Sequence, residues 1–166
     1  MTQDALFNVL FLCSGNSARS IIAEAILNAL GKGKFKAFSA GSHPTGTVNP
    51  LALELIEQNG LSTEGLHSKD WSEFTRAGVP FMHFVFTVCD QAAAEPCPVW
   101  PGQPMTAHWG VTDPAAVQGS DDVKRKTFLK AYTELYGRIS LFVNLPFDKV
   151  SDLALKEKLQ EIGRMQ

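Results

Sequence analysis

Cys13 closes the apolar run Asn8-Val9-Leu10-Phe11-Leu12 and opens the segment Cys13-Ser14-Gly15-Asn16-Ser17-Ala18-Arg19-Ser20. This is a Cys-x5-Arg-Ser spacing, set between residues that read as a buried strand and residues that read as a helix. Each part suits a nucleophile that must meet an anion. Cys13 supplies the sulfur. The backbone N–H groups of the residues after it can curl into an anion-binding nest. The helix beginning near Ser17 points the positive end of its dipole at the same place. Arg19 adds a planar fork of donors that grips a tetrahedral oxyanion through two hydrogen bonds. Such surroundings favour thiolate over thiol. A cysteine after a strand is ordinarily a small buried hydrophobe, but the companions of Cys13 resist that reading. Gly15 and Asn16 tolerate positive φ, which a loop of inward-pointing N–H groups requires. Arg19 in a first helical turn opposes the dipole, a choice that a bound anion explains. We expect Ser14, Gly15, Asn16, Ser17, Ala18, Arg19 and Ser20 to form an oxyanion-binding loop around Cys13, with Ser20 hydrogen-bonded to the thiolate. The loop is not of the nucleotide-binding kind, because Gly-x4-Gly-Lys-Ser/Thr occurs nowhere in the chain.

Three more residues could take part. Cys89 and Cys97 are the remaining thiols, separated by seven small or polar residues with prolines at 96 and 98. A zinc site with His108 has the wrong spacing and only two thiolates. Two inert buried thiols, a structural disulfide and a redox pair are the other readings. Asp113-Pro114 offers a carboxyl for general acid catalysis, although Asp-Pro also favours a plain turn.

The elements that must position these residues alternate β and α. A strand over 8–12 leads to a helix over about 18–30, with Ile22, Ala25, Ile26 and Ala29 on one face and Gly31 as its stop. A second strand fits 35–39, and Asn49-Pro50 starts a helix that Gly60 ends. A short helix follows near 71–76. Residues 81–88 form a continuous apolar run, as expected of a strand buried on both faces. Another strand falls within 105–111. A long helix from about Ser120 to Pro146 carries Leu129, Tyr132, Leu135, Tyr136, Ile139, Phe142 and Val143 at helical spacing, and a last helix covers about 151–162. The expected fold class is α/β: a doubly wound, four-stranded parallel sheet with helices on both faces. The 166 residues suit one domain. Ligands in such sheets sit at the carboxyl ends of strands, where Cys13, Cys89 and Asp113 all fall. A net charge of −2 offers no basic surface for nucleic acid or acidic membranes. Without a positively flanked leader or an apolar run of spanning length, a cytoplasmic location is expected.

The loop Cys13 to Ser20, Asp113-Pro114, the segment Phe38-Ser39-Ala40-Gly41-Ser42 and the cysteines after the strand at 81–88 resemble the low-molecular-weight protein tyrosine phosphatase family, and within it the arsenate reductases. The resemblance runs from about Asn8 to Leu145. It implies that Cys13 attacks arsenate held by the loop and Arg19, with Asp113 as general acid. It further implies that Cys89 attacks Cys13 to release arsenite, and that Cys97 takes over the Cys89 end, leaving a Cys89–Cys97 disulfide. Thioredoxin or a glutathione–glutaredoxin system would then reduce that bridge. No flavin, nicotinamide or metal motif is present, and no cofactor is expected. Some relatives bind potassium beside the loop, where Asn16, Glu24 and Ser39 would supply ligands. Phosphatases of the family place an aromatic residue after Asp-Pro to wall a slot for phosphotyrosine. Here Ala115 and Ala116 follow, which favours a small inorganic oxyanion, with Trp109 as a partial substitute or a core residue. The alternatives are a phosphatase acting on phosphotyrosine or small phosphate esters, and a non-enzymatic, redox-sensitive anion-binding module.

Overall fold

The computed structural model describes residues 7–76, 78–89, 100 and 103–165. Four strands, β1 (Phe7–Cys13), β2 (Phe35–Gly41), β3 (Phe84–Thr87) and β4 (Met105–His108), form one parallel sheet in the order β2-β1-β3-β4. Along β1, Phe11 pairs with Ser39 on one side and Phe86 on the other. Alternation then sorts side chains onto two buried faces. Val9, Phe11, Phe84 and Phe86 enter one core, while Leu10, Leu12, Ala40 and Val85 enter a second. This accounts for the unbroken apolar runs of the central strands.

The larger core is covered by α1 (Arg19–Leu30), α2 (Pro50–Gln58), α3 (Asp121–Val143) and α4 (Asp152–Arg164), which contribute Ile22, Ile56, Leu135 and Leu159 among others. The other face is closed by the 3-10 turn Trp71–Phe74, Met82 and Trp100. Asn49, Ser120 and Ser151 cap α2, α3 and α4 by accepting from Leu51, Val123 and Ala154 N–H groups, as short polar side chains do at helix starts. Of these four helices, only α1 lacks both a capping side chain and an acidic first turn. Its N-terminal N–H groups are left for something else.

Several expected boundaries and faces shift. The strands expected over 81–88 and 105–111 are shorter, at Phe84–Thr87 and Met105–His108, and β2 runs on to Gly41. Ala29 is exposed. Leu129 and Tyr136 of α3 are 50% and 41% exposed, while Phe128, Ala131 and Arg138 lie inside. The buried stripe keeps Tyr132, Leu135, Ile139 and Phe142 of the expected face and is shifted at its edge to take in a buried arginine. No helix among the described residues is long and apolar enough to cross a membrane.

Candidate active site

The order β2-β1-β3-β4 places the switch point of the sheet between β1 and β3, where crossovers leave a crevice at the carboxyl ends. Cys13 ends β1 there and is almost fully buried. Its Sγ lies 2.9 Å from Ser20 Oγ, which also accepts from Asn16 Nδ2 at 2.8 Å. Asn16 adopts the expected positive φ, 45°, and its Oδ1 accepts from Lys69 N–H at 2.9 Å. A fully buried asparagine therefore ties the loop to the segment before the 3-10 turn.

The loop carbonyls are spoken for from outside. Ser14 O accepts from His43 N–H, Gly15 O from Thr45 N–H and Ser68 Oγ, and Ser17 O from Asn49 N–H. These bonds turn the carbonyls away from Cys13. No N–H from Gly15 to Arg19 donates to a carbonyl among the described residues, so five donors and an uncapped helix start are left for an anion. Gly41 makes the close approach possible: a Cβ there would run into Ser14 O and sit 2.8 Å from Cys13 O.

Arg19 is held by the loop that follows β4. Its Nη1 donates to Val111 O at 3.0 Å, and its Nη2 lies 3.5 Å from Asp113 Oδ2. Asp113 both caps a turn and faces the Cys13 loop's arginine. Oδ1 accepts from Ala115 N–H and caps a short 3-10 turn, while Oδ2 faces Arg19. Cys89 lies two residues beyond β3, buried, and its Sγ accepts from Ser14 N–H at 3.3 Å. A second sulfur therefore rests on the first amide of the Cys13 loop. Arg19, Cys89, His108, Thr112, Asp113 and Gly163 line one cleft of about 610 Å3. Cys97 lies outside the described residues. Trp109 is fully buried and stacks on Phe86 at 3.9 Å, so it is a core residue and no wall of a substrate slot.

Beside the loop, Lys69 is an unforeseen member of the site's support. Its Nζ donates to His67 O at 2.8 Å and Ser39 Oγ at 3.5 Å, and lies 3.9 Å from Glu24 Oε1. Ser39 Oγ donates to the same carboxylate at 2.5 Å. Burial pushes the Glu24 carboxyl up, partly offset by Ser39 and Lys69, and burial pushes the Lys69 ammonium down. A potassium ion held by Glu24 and Ser39 would meet this like charge. The pocket as it stands fits the lysine and not a second cation. Nothing in the sequence near Lys69 signals its role, which arises only from the fold.

A family model for low molecular weight phosphotyrosine protein phosphatases matches residues 8–142. The chain belongs to this family. Within the family, it is 32% identical over 136 residues to an arsenate reductase of Halalkalibacterium halodurans, covering 81% of this chain and 93% of the relative. An arsenate reductase structure from Archaeoglobus fulgidus shares 27% identity with a TM-score of 0.65, over 82% of this chain and 99% of that one. The low molecular weight protein tyrosine phosphatase of T. tengcongensis shares 25% identity with a TM-score of 0.64, over 84% and 99%. This phosphatase-family chain thus shares its fold with both reductases and hydrolases.

Proposed function

We propose that this family member is an arsenate reductase working through Cys13, Cys89 and Cys97. The observation that carries the reading is Cys89 Sγ on the Ser14 N–H, beside the nucleophile. Ester hydrolysis has no use for a second thiol at that point; reduction requires one. The similarity to curated arsenate reductases at 32% identity supports the same side.

The residues divide the reaction as follows. The loop amides of Gly15 to Arg19 and the Arg19 fork bind arsenate. Cys13 thiolate attacks arsenic, Asp113 gives a proton to the departing oxygen, and water leaves. Cys89 thiolate then attacks Cys13 Sγ. The sulfur–arsenic bond breaks with its electron pair staying on arsenic, which falls from the pentavalent to the trivalent state and leaves as arsenite. Cys97 attacks Cys89 Sγ in the Cys13–Cys89 bridge, freeing Cys13 thiolate. An external dithiol, thioredoxin or glutathione with glutaredoxin, reduces the resulting Cys89–Cys97 bridge. The two electrons supplied match the two that arsenic gains. No step runs through potassium or an organic cofactor.

Arsenite release, measured with either reductant system supplied, tests the proposal. Turnover with one system and not the other identifies the partner. Rapid phosphotyrosine hydrolysis with no arsenite from either system would transfer the case to the phosphatase reading.

A further inference from the structure

Arg138 is a cation in the wrong place for a surface helix. It lies on the buried side of α3, 6% exposed, beneath the loop that leaves β4. Its Nη1 donates to Trp109 O at 3.2 Å and Gly110 O at 2.8 Å, and its Nη2 donates to Met165 O at 2.7 Å. All three acceptors are backbone carbonyls. Burial lowers its pKa from the ordinary arginine value, partly offset by Glu134 one turn earlier. Burying a charge is costly unless its hydrogen bonds are made with good geometry. A planar fork that bridges two chain segments is a placement that lysine could not reproduce.

What the fork bridges gives it a purpose. On one side lies the end of α4, outside the stretch matched by the family model. On the other lies the segment 109–113, which continues the ladder with β3 through two N–H groups: Trp109 N–H donates to Thr87 O and Val111 N–H to Val88 O. Arg138 takes the next two carbonyls. The carbonyl after those, Val111 O, holds Arg19 Nη1, and Asp113 faces Arg19 Nη2. The helix end is itself pressed onto this segment. A Cβ on Gly163 would run into His108 O and come within 2.9 Å of Trp109 Cδ1, and Trp109 Nε1 donates to Leu159 O at 2.9 Å.

We propose that Arg138 is a positioning residue for the oxyanion site: seated against the end of α4, it fixes carbonyls 109 and 110 so that Val111 O and Asp113 keep the Arg19 fork in register over the Cys13 loop. Arg138 touches no substrate. Its effect passes through one stretch of backbone to the one side chain that grips the anion. The last helix thereby becomes a brace for the site.

The proposal rests on the oxyanion reading of the loop and is independent of whether the bound anion is reduced. The probe is inorganic phosphate, read as the concentration that half-protects Cys13 from alkylation by iodoacetamide. Arg138→Met should raise that concentration on the order of tenfold, the equivalent of about 1.4 kcal/mol. Arg138→Lys, which keeps the charge but loses the fork, should fall between Met and the unmodified protein. Gly163→Ala, which forces α4 off the same segment, should shift protection in the same direction. Leu135→Ala serves as the control, because it truncates the same helix in the same core while leaving the Arg138 hydrogen bonds in place. It should lower stability and leave the protecting concentration unchanged. Absence of phosphate protection in the unmodified protein would strike at the oxyanion reading itself. Protection in the unmodified protein, with Arg138→Lys and Gly163→Ala equal to it or all variants tracking Leu135→Ala, would overturn the role given to Arg138. If Arg138→Met fails to fold, the Lys and Gly163 variants decide the matter.

Discussion

Single residues carry the sharpest expectations. Cys13 should alkylate faster than Cys89 and Cys97 near neutral pH, and phosphate, sulfate or arsenate should protect it. Equal rates for all three thiols, mapped by peptide analysis, would contradict its place as nucleophile. Cys13→Ser should abolish turnover, since an unactivated hydroxyl is a far poorer nucleophile. Cys89→Ser and Cys97→Ser should spare any slow hydrolysis of an activated aryl phosphate but end arsenite production. Asp113→Ala should slow both reactions, by up to ~10²–10⁴-fold for a lost general acid. The residues behind these expectations were legible in the sequence because their types announce chemistry: a thiol, a guanidinium and a carboxyl at strand ends. Gly41, Lys69 and Arg138 were not. A glycine under a loop, a lysine between Ser39 and Glu24 and an arginine on the inner side of α3 acquire their roles only from neighbours distant in sequence.

At the level of elements, the loop between β1 and α1 depends on close packing against β2. Gly41→Ala should push the Ser14 carbonyl outward, cost about 1–3 kcal/mol as overpacking does, and weaken phosphate protection of Cys13. Urea midpoints and the alkylation assay read the two effects separately, and an unchanged protecting concentration would show that the loop does not need this contact. Element type and order were readable throughout, because alternation and capping residues such as Asn49, Ser120 and Ser151 are local signals. The edge of the buried face of α3 was not. Tyr132, Leu135, Ile139 and Phe142 lie inside as hydropathy suggests, but Leu129 and Tyr136 are exposed while Phe128, Ala131 and Arg138 are buried, the last beneath the 109–113 segment. The segment between Cys89 and Cys97 lies outside the described residues, and the proposed relay asks one thiol, Cys89, to bond first with Cys13 and then with Cys97. Cys97→Ser given arsenate and no external thiol should complete at most one turnover and accumulate Cys13–Cys89, whereas the unmodified protein accumulates Cys89–Cys97. Acid-quenched peptide mapping distinguishes the bridges, and a Cys13–Cys97 bridge would reverse the assigned roles.

Across the whole molecule, the buried Glu24–Lys69 pair gives stability a pH signature. Glu24 has its folded pKa raised above 4.5 by burial, so the folded state keeps a proton that the unfolded state releases. That contribution is complete below about 4.5 and is lost as pH rises through the raised value. Lys69, lowered by burial, adds stability only well above neutrality and loses it as pH falls through its lowered value. The stability difference between the unmodified protein and Glu24→Gln should therefore shift against the unmodified protein as pH rises from about 4.5 toward 7. Urea titrations across that range check it; a flat difference would mean the carboxyl is solvated. The parallel order of the sheet has a different consequence. Cys13 follows Leu12, Cys89 lies two residues past Thr87, and Leu12 and Thr87 are paired neighbours on adjacent strands. Parallel pairing therefore delivers both cysteines to the same sheet edge, where Cys89 Sγ accepts from Ser14 N–H. The sheet itself, and no long loop, brings the two thiols of the proposed first bridge to one place. A one-residue slip of β3 against β1 would carry Cys89 about 3.3 Å along the strand direction and off the Ser14 amide, so the proposed relay tolerates insertions in the connecting loops and none within these two strands.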